Sequence, residues 1–247
     1  MEFKNLLFTT DDWGISPGVN QGILELAQMG VVKRVSVLAN GEYVAFKLDD
    51  LKKIKYLEIG IHFNCTLGKA NGELREIVNS NEFLGLSGFL FSLFRKKRAC
   101  LKEVTENLIW QLGLLRKYGI EPSYLDGHHH IHLLPGVFSA IIPVLKETKI
   151  KTIRTILDLR NLSLKKLILF MFSLRQKRKI LFEGFETLPS YYPIILDITE
   201  HNFSKISRPT EIIVHPASEM DFESLKISDS YRFGRVSEFN RLKELRS

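Results

Sequence analysis

The fold of this chain is constrained most strongly by seven short apolar runs. They are rich in β-branched residues and are separated by longer stretches with helical spacing. Such alternation is typical of βα units around a parallel sheet. The predicted strands cover residues 5–10, 34–39, 57–62, 122–126, 151–156, 194–198 and 211–215. Seven strands are close to the count of a barrel. Because the chain has 247 residues, we expect a single α/β domain over residues 1–247.

Helices are predicted between these runs. Pro17 and the next three residues lead into a helix that reaches Gln28, and Gly30 is a plausible stop. Apolar residues recur every three or four positions over 101–118, and Gly119 follows as a C-cap. A third helix is predicted over 137–146.

Residues 83–98 and 162–182 break this rhythm, since they combine bulky apolar side chains with Lys and Arg. They are either core helices with a solvated basic end or segments that pack on a partner or lie at a membrane surface. The longest apolar run, 167–174, is less than half of the roughly 20 residues that cross a bilayer. We therefore predict no transmembrane helix.

The net charge of +7 fits acidic substrates, an anionic membrane surface or nucleic acid, and charge alone does not choose among them. Cys65 and Cys100 are too few for a disulfide framework and lack the CxxC spacing of a thiolate metal site. The N-terminus lacks the pattern of a signal peptide. We therefore predict that the protein works in a reduced, cytoplasmic setting.

Acidic and imidazole side chains stand where predicted strands finish. Asp11 and Asp12 follow the first run, His62 ends the third, and the segment 128–132 follows the run that ends at Asp126. His215 ends the last run. Reactive groups gather at the carboxyl ends of parallel strands, so four distant segments are predicted to converge on one site.

The chemistry of such a site depends on a cation. One carboxylate and two imidazoles would leave open positions on a divalent ion, which a hydrolytic centre needs in order to activate water. His128, His130 and His132 share a face if that segment is extended. Paired acids can also be helix caps, and a lone histidine such as His62 is more often structural. No G-x-S-x-G elbow or phosphate-binding glycine loop is present.

The chain resembles the YdjC-like carbohydrate deacetylases, the family that contains the chitooligosaccharide deacetylases. The resemblance is carried by four motifs that span residues 10–216. They are Thr10-Asp11-Asp12-Trp13-Gly14 with Ser16-Pro17-Gly18-Val19-Asn20, Gly60-Ile61-His62-Phe63-Asn64-Cys65-Thr66, Asp126-Gly127-His128-His129-His130-Ile131-His132 with Leu134-Pro135-Gly136-Val137, and Val214-His215-Pro216. It implies a distorted (βα) barrel of about seven parallel strands, often dimeric, that removes the N-acetyl group of an amino sugar by attack of metal-activated water.

The resemblance also implies roles for single residues. Asp12, His62 and His128 correspond to the metal ligands, with His130 and His132 as alternates for the third. Asp11 corresponds to the general base and His215 to the general acid. We expect Asn64, His130, His132 and Arg154 to contact substrate, although Arg154 fits a surface ion pair equally well. The expected cofactor is one Mg or Zn ion.

Partners follow from the same resemblance. We expect an N-acetylated oligosaccharide or glycolipid as substrate, a homodimer, and no nucleic-acid partner.

Residues 83–98 or 162–179 are hypothesised to rest on the cytoplasmic membrane face, which would give access to a lipid-linked sugar. The alternatives are a catalytically silent carbohydrate-binding barrel and a metal-dependent phosphoester hydrolase.

Overall fold

Eight of the ten strands in the described residues form one parallel sheet. The computed structural model describes residues 5–157, 164–191, 208–219 and 232–245. The strands are β1 (Leu6–Trp13), β2 (Arg34–Val37), β3 (Glu58–Phe63), β4 (Val78–Asn79), β5 (Glu82–Phe83), β6 (Tyr124–Gly127), β7 (Thr152–Ile153), β8 (Thr155–Ile156), β9 (Pro189–Tyr191) and β10 (Thr210–Val214). The main sheet has the order β7-β6-β3-β2-β1-β10-β9-β8, whereas β4 and β5 form a separate antiparallel hairpin.

The sheet curls into a nearly closed barrel, because its two edge strands, β7 and β8, are successive parts of one extended segment. On one side of this segment the Arg154 amide donates to the Leu125 carbonyl (3.0 Å). On the other side the Leu157 amide donates to the Ser190 carbonyl (3.2 Å). The predicted fold, an α/β barrel of about seven parallel strands, is confirmed, since β7 and β8 together form the strand predicted over 151–156.

One predicted strand has no counterpart in the described residues, and one observed strand was not predicted. The run at 194–198 lies outside the described residues. The strand β9 was not predicted, because it is only three residues long and starts with a proline. Proline donates no ladder hydrogen bond, but it is tolerated as the first residue of a strand.

Helices connect the strands on the outside of the barrel. They are α1 (Pro17–Gln28), α2 (Leu48–Lys52), α3 (Gly85–Arg95), α4 (Lys97–Lys117), α5 (Val137–Lys146), α6 (Leu164–Phe182) and α7 (Arg232–Glu244), with a 3₁₀ helix at His128–Leu133. The Ser16 hydroxyl caps α1 by accepting from the Val19 amide, and Pro17 occupies the first turn, where no amide donor is needed. The two regions that combine apolar and basic residues are mainly α3 and α6.

The core lies between the barrel and these helices. Strands β2, β6 and β10 are buried at every position, as expected for parallel strands covered by helices. Trp13 is completely buried, and its indole nitrogen donates to the Val44 carbonyl (3.0 Å). None of the helices in the described ranges combines the length and the apolar character that a bilayer crossing requires.

Candidate metal centre

Polar side chains from four segments meet at the carboxyl ends of the strands. Asp11 and Asp12 lie at the end of β1, His62 near the end of β3, and His128 directly after β6. His215 follows β10. The fold therefore brings these residues together, as the sequence predicts.

Three ligand atoms form an almost equilateral triangle. Oδ1 of Asp12 lies 3.4 Å from Nε2 of His62 and 3.3 Å from Nδ1 of His128. The two imidazole nitrogens are 3.4 Å apart. Ligands about 2.0–2.1 Å from a tetrahedral ion lie about 3.4 Å from one another, so the triangle has the size of three corners of such a site.

Two further observations fit a cation at this triangle. Oδ1 of Asp12 is buried and has no hydrogen-bond partner within the part of the chain that the structure describes. The surroundings are also rich in negative charge, because in the described ranges the four buried carboxylates of Asp11, Asp12, Asp126 and Glu211 share the two guanidinium groups of Arg154 and Arg235. A buried excess of carboxylates is costly unless a cation offsets it.

Asp126 orients the His62 ring. Its Oδ1 lies 2.7 Å from Nδ1 of His62, and its Oδ2 accepts from Ser36 and pairs with Arg154 (2.7 Å). In the neutral ring, a proton on Nδ1 shared with the carboxylate leaves Nε2 as the acceptor that faces the triangle. Burial opposes a charge on this ring, yet Asp126 and Asp11 raise the pKa of His62 to about 10, which again marks the site as one that attracts positive charge.

The end of β1 is irregular, and this irregularity brings two adjacent carboxylates into one site. Adjacent side chains of a regular strand point to opposite faces. Here the pairing of β1 with β2 shifts register between Thr10 and Trp13, and Asp12 adopts a left-handed φ of 70°. As a result, Asp11 and Asp12 each have a carboxylate oxygen within 4.8 Å of a His62 ring nitrogen.

Arg235 holds the other oxygen of Asp12. Its Nη2 lies 2.6 Å from Asp12 Oδ2, and both side chains are buried. Although burial favours the neutral acid, Arg235 together with His128 and His62 holds the pKa of Asp12 well below its ordinary value. The carboxylate is thus ionised, with one oxygen held by Arg235 and the other turned to the two histidines.

Arg154 is the centre of a second network. Its Nη1 donates to both oxygens of Asp11 (2.9 and 2.7 Å), and its Nη2 lies 2.7 Å from Asp126 Oδ2. Its Nε donates to Glu211 (3.1 Å). The residue is 2% exposed, so the alternative of a surface ion pair is wrong, whereas the substrate contact stays a prediction. Arg154 is a buried crosslink because it lies between β7 and β8, inside the closed sheet.

His215 lies beside Asp11. Its Nε2 is 3.7 Å from Asp11 Oδ2, and the side chain is one-fifth exposed. Glu238 of α7 accepts the His215 amide proton at 2.6 Å. The helix that supplies Arg235 therefore also fixes the backbone that carries His215.

The histidine cluster is not extended, so the prediction that His128, His130 and His132 share one face is wrong. The segment turns as a 3₁₀ helix in which His129 and His130 have left-handed φ angles of 53° and 55°. Only His128 joins the triangle. His132 is fully buried and donates from Nε2 to the Arg154 carbonyl (3.0 Å), while burial lowers the pKa of His132 to about 4. A Cβ at Gly127 would lie 2.7 Å from the His132 ring, so glycine permits this packing.

Asn64 organises the loop after β3. Its Oδ1 accepts from the amides of Thr66 and Leu67 (2.9 and 3.0 Å), and its Nδ2 donates to the Leu67 carbonyl (2.7 Å). The side chain is fully buried. Asn64 therefore shapes the loop, and its contact with substrate stays a prediction.

Sequence reasoning missed the residues that support the site. Asp126 opens the third motif of the resemblance, and its position at the end of a predicted strand is the signal that could have identified it as the residue that orients His62. Arg235 and Glu238 are three positions apart and therefore on one face of α7, yet nothing near them in the sequence connects them to β1 or β10.

Comparison with known proteins relates the chain to a family. Residues 5–247 match the family model described as YdjC-like protein. Curated relatives include the chitooligosaccharide deacetylases of Salmonella paratyphi B (33% identical) and Salmonella typhimurium (32% identical). Each alignment covers 138 residues, which is 55% of this chain and 53% of the relative. The match thus spans about half the length of these relatives.

A solved structure has the same fold. It is described as a putative cellobiose-phosphate cleavage protein from Enterococcus faecalis and superposes with a TM-score of 0.71. The superposition covers 96% of this chain and 89% of that chain at 21% sequence identity. The likeness therefore extends over the whole barrel.

Proposed function

Because this chain belongs to the YdjC-like family, we propose that it is a metal-dependent carbohydrate deacetylase, an amide hydrolase that removes the N-acetyl group of an amino sugar. The observation that carries the proposal is the triangle of Asp12 Oδ1, His62 Nε2 and His128 Nδ1, with edges of 3.3–3.4 Å. The relatives named chitooligosaccharide deacetylase support an N-acetylated oligosaccharide as substrate, and a glycolipid bearing the same amide fits the same chemistry.

Asp12, His62 and His128 would hold the cation. When bound, a divalent ion supplies Lewis acidity that polarises the amide carbonyl and makes water more acidic. Two imidazole nitrogens and one carboxylate suit zinc better than magnesium, which prefers oxygen ligands in octahedral geometry. The 3.4 Å spacing supports the same preference for a tetrahedral ion. We therefore propose zinc as the native metal.

Asp11 is the proposed general base. Its carboxylate lies beside the triangle and is held by the Arg154 guanidinium, so its orientation does not depend on substrate. It would take a proton from the water that attacks the acetamide carbon. Such proton transfer is typically worth about 10²–10⁴ in rate.

His215 is the proposed general acid. It adjoins Asp11 and is partly exposed, so it can reach a bound sugar. A protonated ring would give its proton to the departing nitrogen as the C–N bond breaks. The products are acetate and the free amino sugar, which balances one water consumed per amide cleaved.

Three residues act by positioning the others. Asp126 fixes the tautomer of His62, Arg154 holds Asp11 and Asp126, and Arg235 turns Asp12 toward the two histidines. Ligand-orienting contacts of this kind usually change metal affinity or activity about 10–100-fold when removed. His130 is retained as a proposed substrate-contacting residue of the histidine segment.

The test is acetate release by protein that has been stripped with chelator and reloaded with zinc or magnesium. N-acetylated monosaccharides, oligosaccharides and lipid-linked sugars are screened beside phosphoesters. We expect zinc-dependent acetate release, loss of bound metal in Asp12→Ala and His62→Ala, and unchanged metal content with about 10²-fold slower turnover in Asp11→Asn. Asp50→Ala, at an exposed helix position, is the matched control.

Two results would overturn the proposal. Metal-loaded protein that binds the sugars without releasing acetate would be a carbohydrate-binding barrel. Protein that cleaves phosphoesters and leaves every acetamide intact would be a hydrolase of another class.

A further inference from the structure

Exposed apolar side chains are concentrated on two helices. Of the fourteen large apolar residues that are exposed in the described ranges, eleven lie in or next to α3 and α6. Besides Phe182 (88%) at the last position of α6, the most exposed of them are Phe94 (87%), Leu164 (75%), Phe91 (63%) and Met171 (61%). With Ile168 (44%), these five residues are called the apolar ridge below. Clusters of exposed apolar side chains often mark an interaction site.

The ridge on α6 has the spacing of one helix face. Leu164, Ile168 and Met171 follow one another by four and three positions. The other face of the helix is already in use, since Ser173 and Ile180 are buried against the barrel. The exposed stripe is therefore a second apolar face and not part of the core.

The charged residues within α6 and in the segment from α3 to Lys102 are all basic, although Lys96 pairs with Glu76 (2.7 Å) from a neighbouring segment. The sequence from Phe83 to Lys102 contains Arg95, Lys96, Lys97 and Arg98 and no acidic residue before Glu103. The sequence of α6 contains only basic charged residues, which are Lys165, Lys166, Arg175, Lys177, Arg178 and Lys179. Two copies of this face would repel each other, whereas an anionic surface would attract it.

Both helices lie near the mouth of the barrel. The helix α3 belongs to the connection that leaves the carboxyl end of β3, and α6 follows β8. Leu169 and Phe172 of α6 pack against the cluster of Leu133, Ile156 and Ile213, and Leu133 ends the 3₁₀ helix that begins with His128. The α6 part of the apolar ridge is thus packed beside the 3₁₀ helix that begins with His128, and the α3 part lies in the connection that follows β3.

We propose that the apolar ridge and its basic flanks dock this protein on an anionic lipid surface. Phe91, Phe94 and the stripe of α6 would enter the boundary between headgroups and acyl chains, while the Lys and Arg side chains would contact lipid phosphates. Interfacial helices combine these two features, bulky apolar residues on one face and basic residues beside it. When the protein is docked in this way, the opening of the barrel lies near sugars that are attached to lipid.

The experiment is sedimentation of the full chain with vesicles of phosphatidylcholine alone or mixed equally with phosphatidylglycerol. We expect binding to the mixed vesicles at low salt, weak binding to pure phosphatidylcholine, and release at high salt as the charges are screened. Phe94→Ser combined with Met171→Ser should lower the partition coefficient at least about tenfold, because both side chains leave the apolar ridge.

Matched variants separate the ridge from general properties of the surface. Tyr56→Ser combined with Ile109→Ser changes two similarly exposed apolar residues elsewhere and should leave binding unchanged. Reversing Arg98, Arg175 and Arg178 to Glu should abolish binding. Reversing Lys55, Lys149 and Lys151, which lie near the amino ends of β3 and β7, should reduce it far less.

Two outcomes would overturn the docking surface. One is equal binding of the ridge variant and the wild type. The other is a wild-type dimer that ignores vesicles and dissociates in the ridge variant, which would make the ridge an interface between copies of the chain. Vesicle binding requires no catalysis, so its failure and a failure of acetate release are separate results.

Discussion

Nη2 of Arg235, in the last described helix, lies 2.6 Å from Oδ2 of Asp12, in the first strand. The two residues are 223 positions apart in the sequence. This ion pair determines which oxygen of Asp12 is available to the triangle. It also means that the C-terminal helix is part of the site and not merely a cover for the barrel.

Arg235→Ala is expected to weaken zinc binding about 10–100-fold, because Asp12 loses the group that orients it. Arg235→Lys keeps the charge and should recover part of the affinity. Competition with a chromogenic chelator measures both. Arg241→Ala, an exposed position of the same helix, is the control, and equal affinities of Arg235→Ala and wild type would contradict the orienting role.

Arg154→Met is expected to destabilise the metal-free protein by about 3–5 kcal/mol, because it leaves the buried carboxylates of Asp11, Asp126 and Glu211 without their partner. Arg34→Met breaks an ion pair whose Glu58 side chain is 49% exposed and should cost only about 1 kcal/mol. Urea unfolding in chelator measures both values. Similar costs for the two variants would show that the Arg154 network is not the stabilising centre.

Gly22→Ala and Gly113→Ala are expected to change stability in opposite directions although both glycines lie in helices. A Cβ at Gly22 would lie 2.8 Å from the Ser218 amide nitrogen and 2.9 Å from the Ala217 carbonyl carbon, so the loop after His215 must shift at a cost of about 1–3 kcal/mol. A Cβ at Gly113 meets nothing within 4 Å, and alanine should stabilise α4 by about 0.5–1 kcal/mol. Thermal melting checks both signs.

The two cysteines are expected to resist alkylation in the folded protein at neutral pH. Burial raises the pKa of the Cys65 thiol well above its ordinary value and raises the pKa of Cys100 to about 11. A raised thiol pKa means less thiolate, which is the reactive form. Mass spectrometry after iodoacetamide should show little modification in buffer and two modified thiols in urea. Rapid modification of the native protein would contradict this prediction.

Much of the site could be predicted because its principal residues stand at strand ends. Asp12, His62 and His128 follow apolar runs, and the carboxyl ends of parallel strands share one edge of the barrel. The way in which the barrel closes could not be predicted, because one short segment pairs on both sides, through the amides of Arg154 and Leu157. The turn at His129 and His130 was also invisible, since left-handed backbone angles leave no pattern of alternating polarity.

The sequence by itself determined the order of the strands along the chain and which of them carry acids and histidines at their ends. Apolar periodicity reports burial, and burial is decided residue by residue along each strand. The tertiary structure alone decided which atoms meet. Only the folded chain turns Asp12 at a bulge, places Asp126 behind His62 and brings Arg235 onto the first strand, because these contacts depend on backbone angles and helix packing that no local pattern encodes.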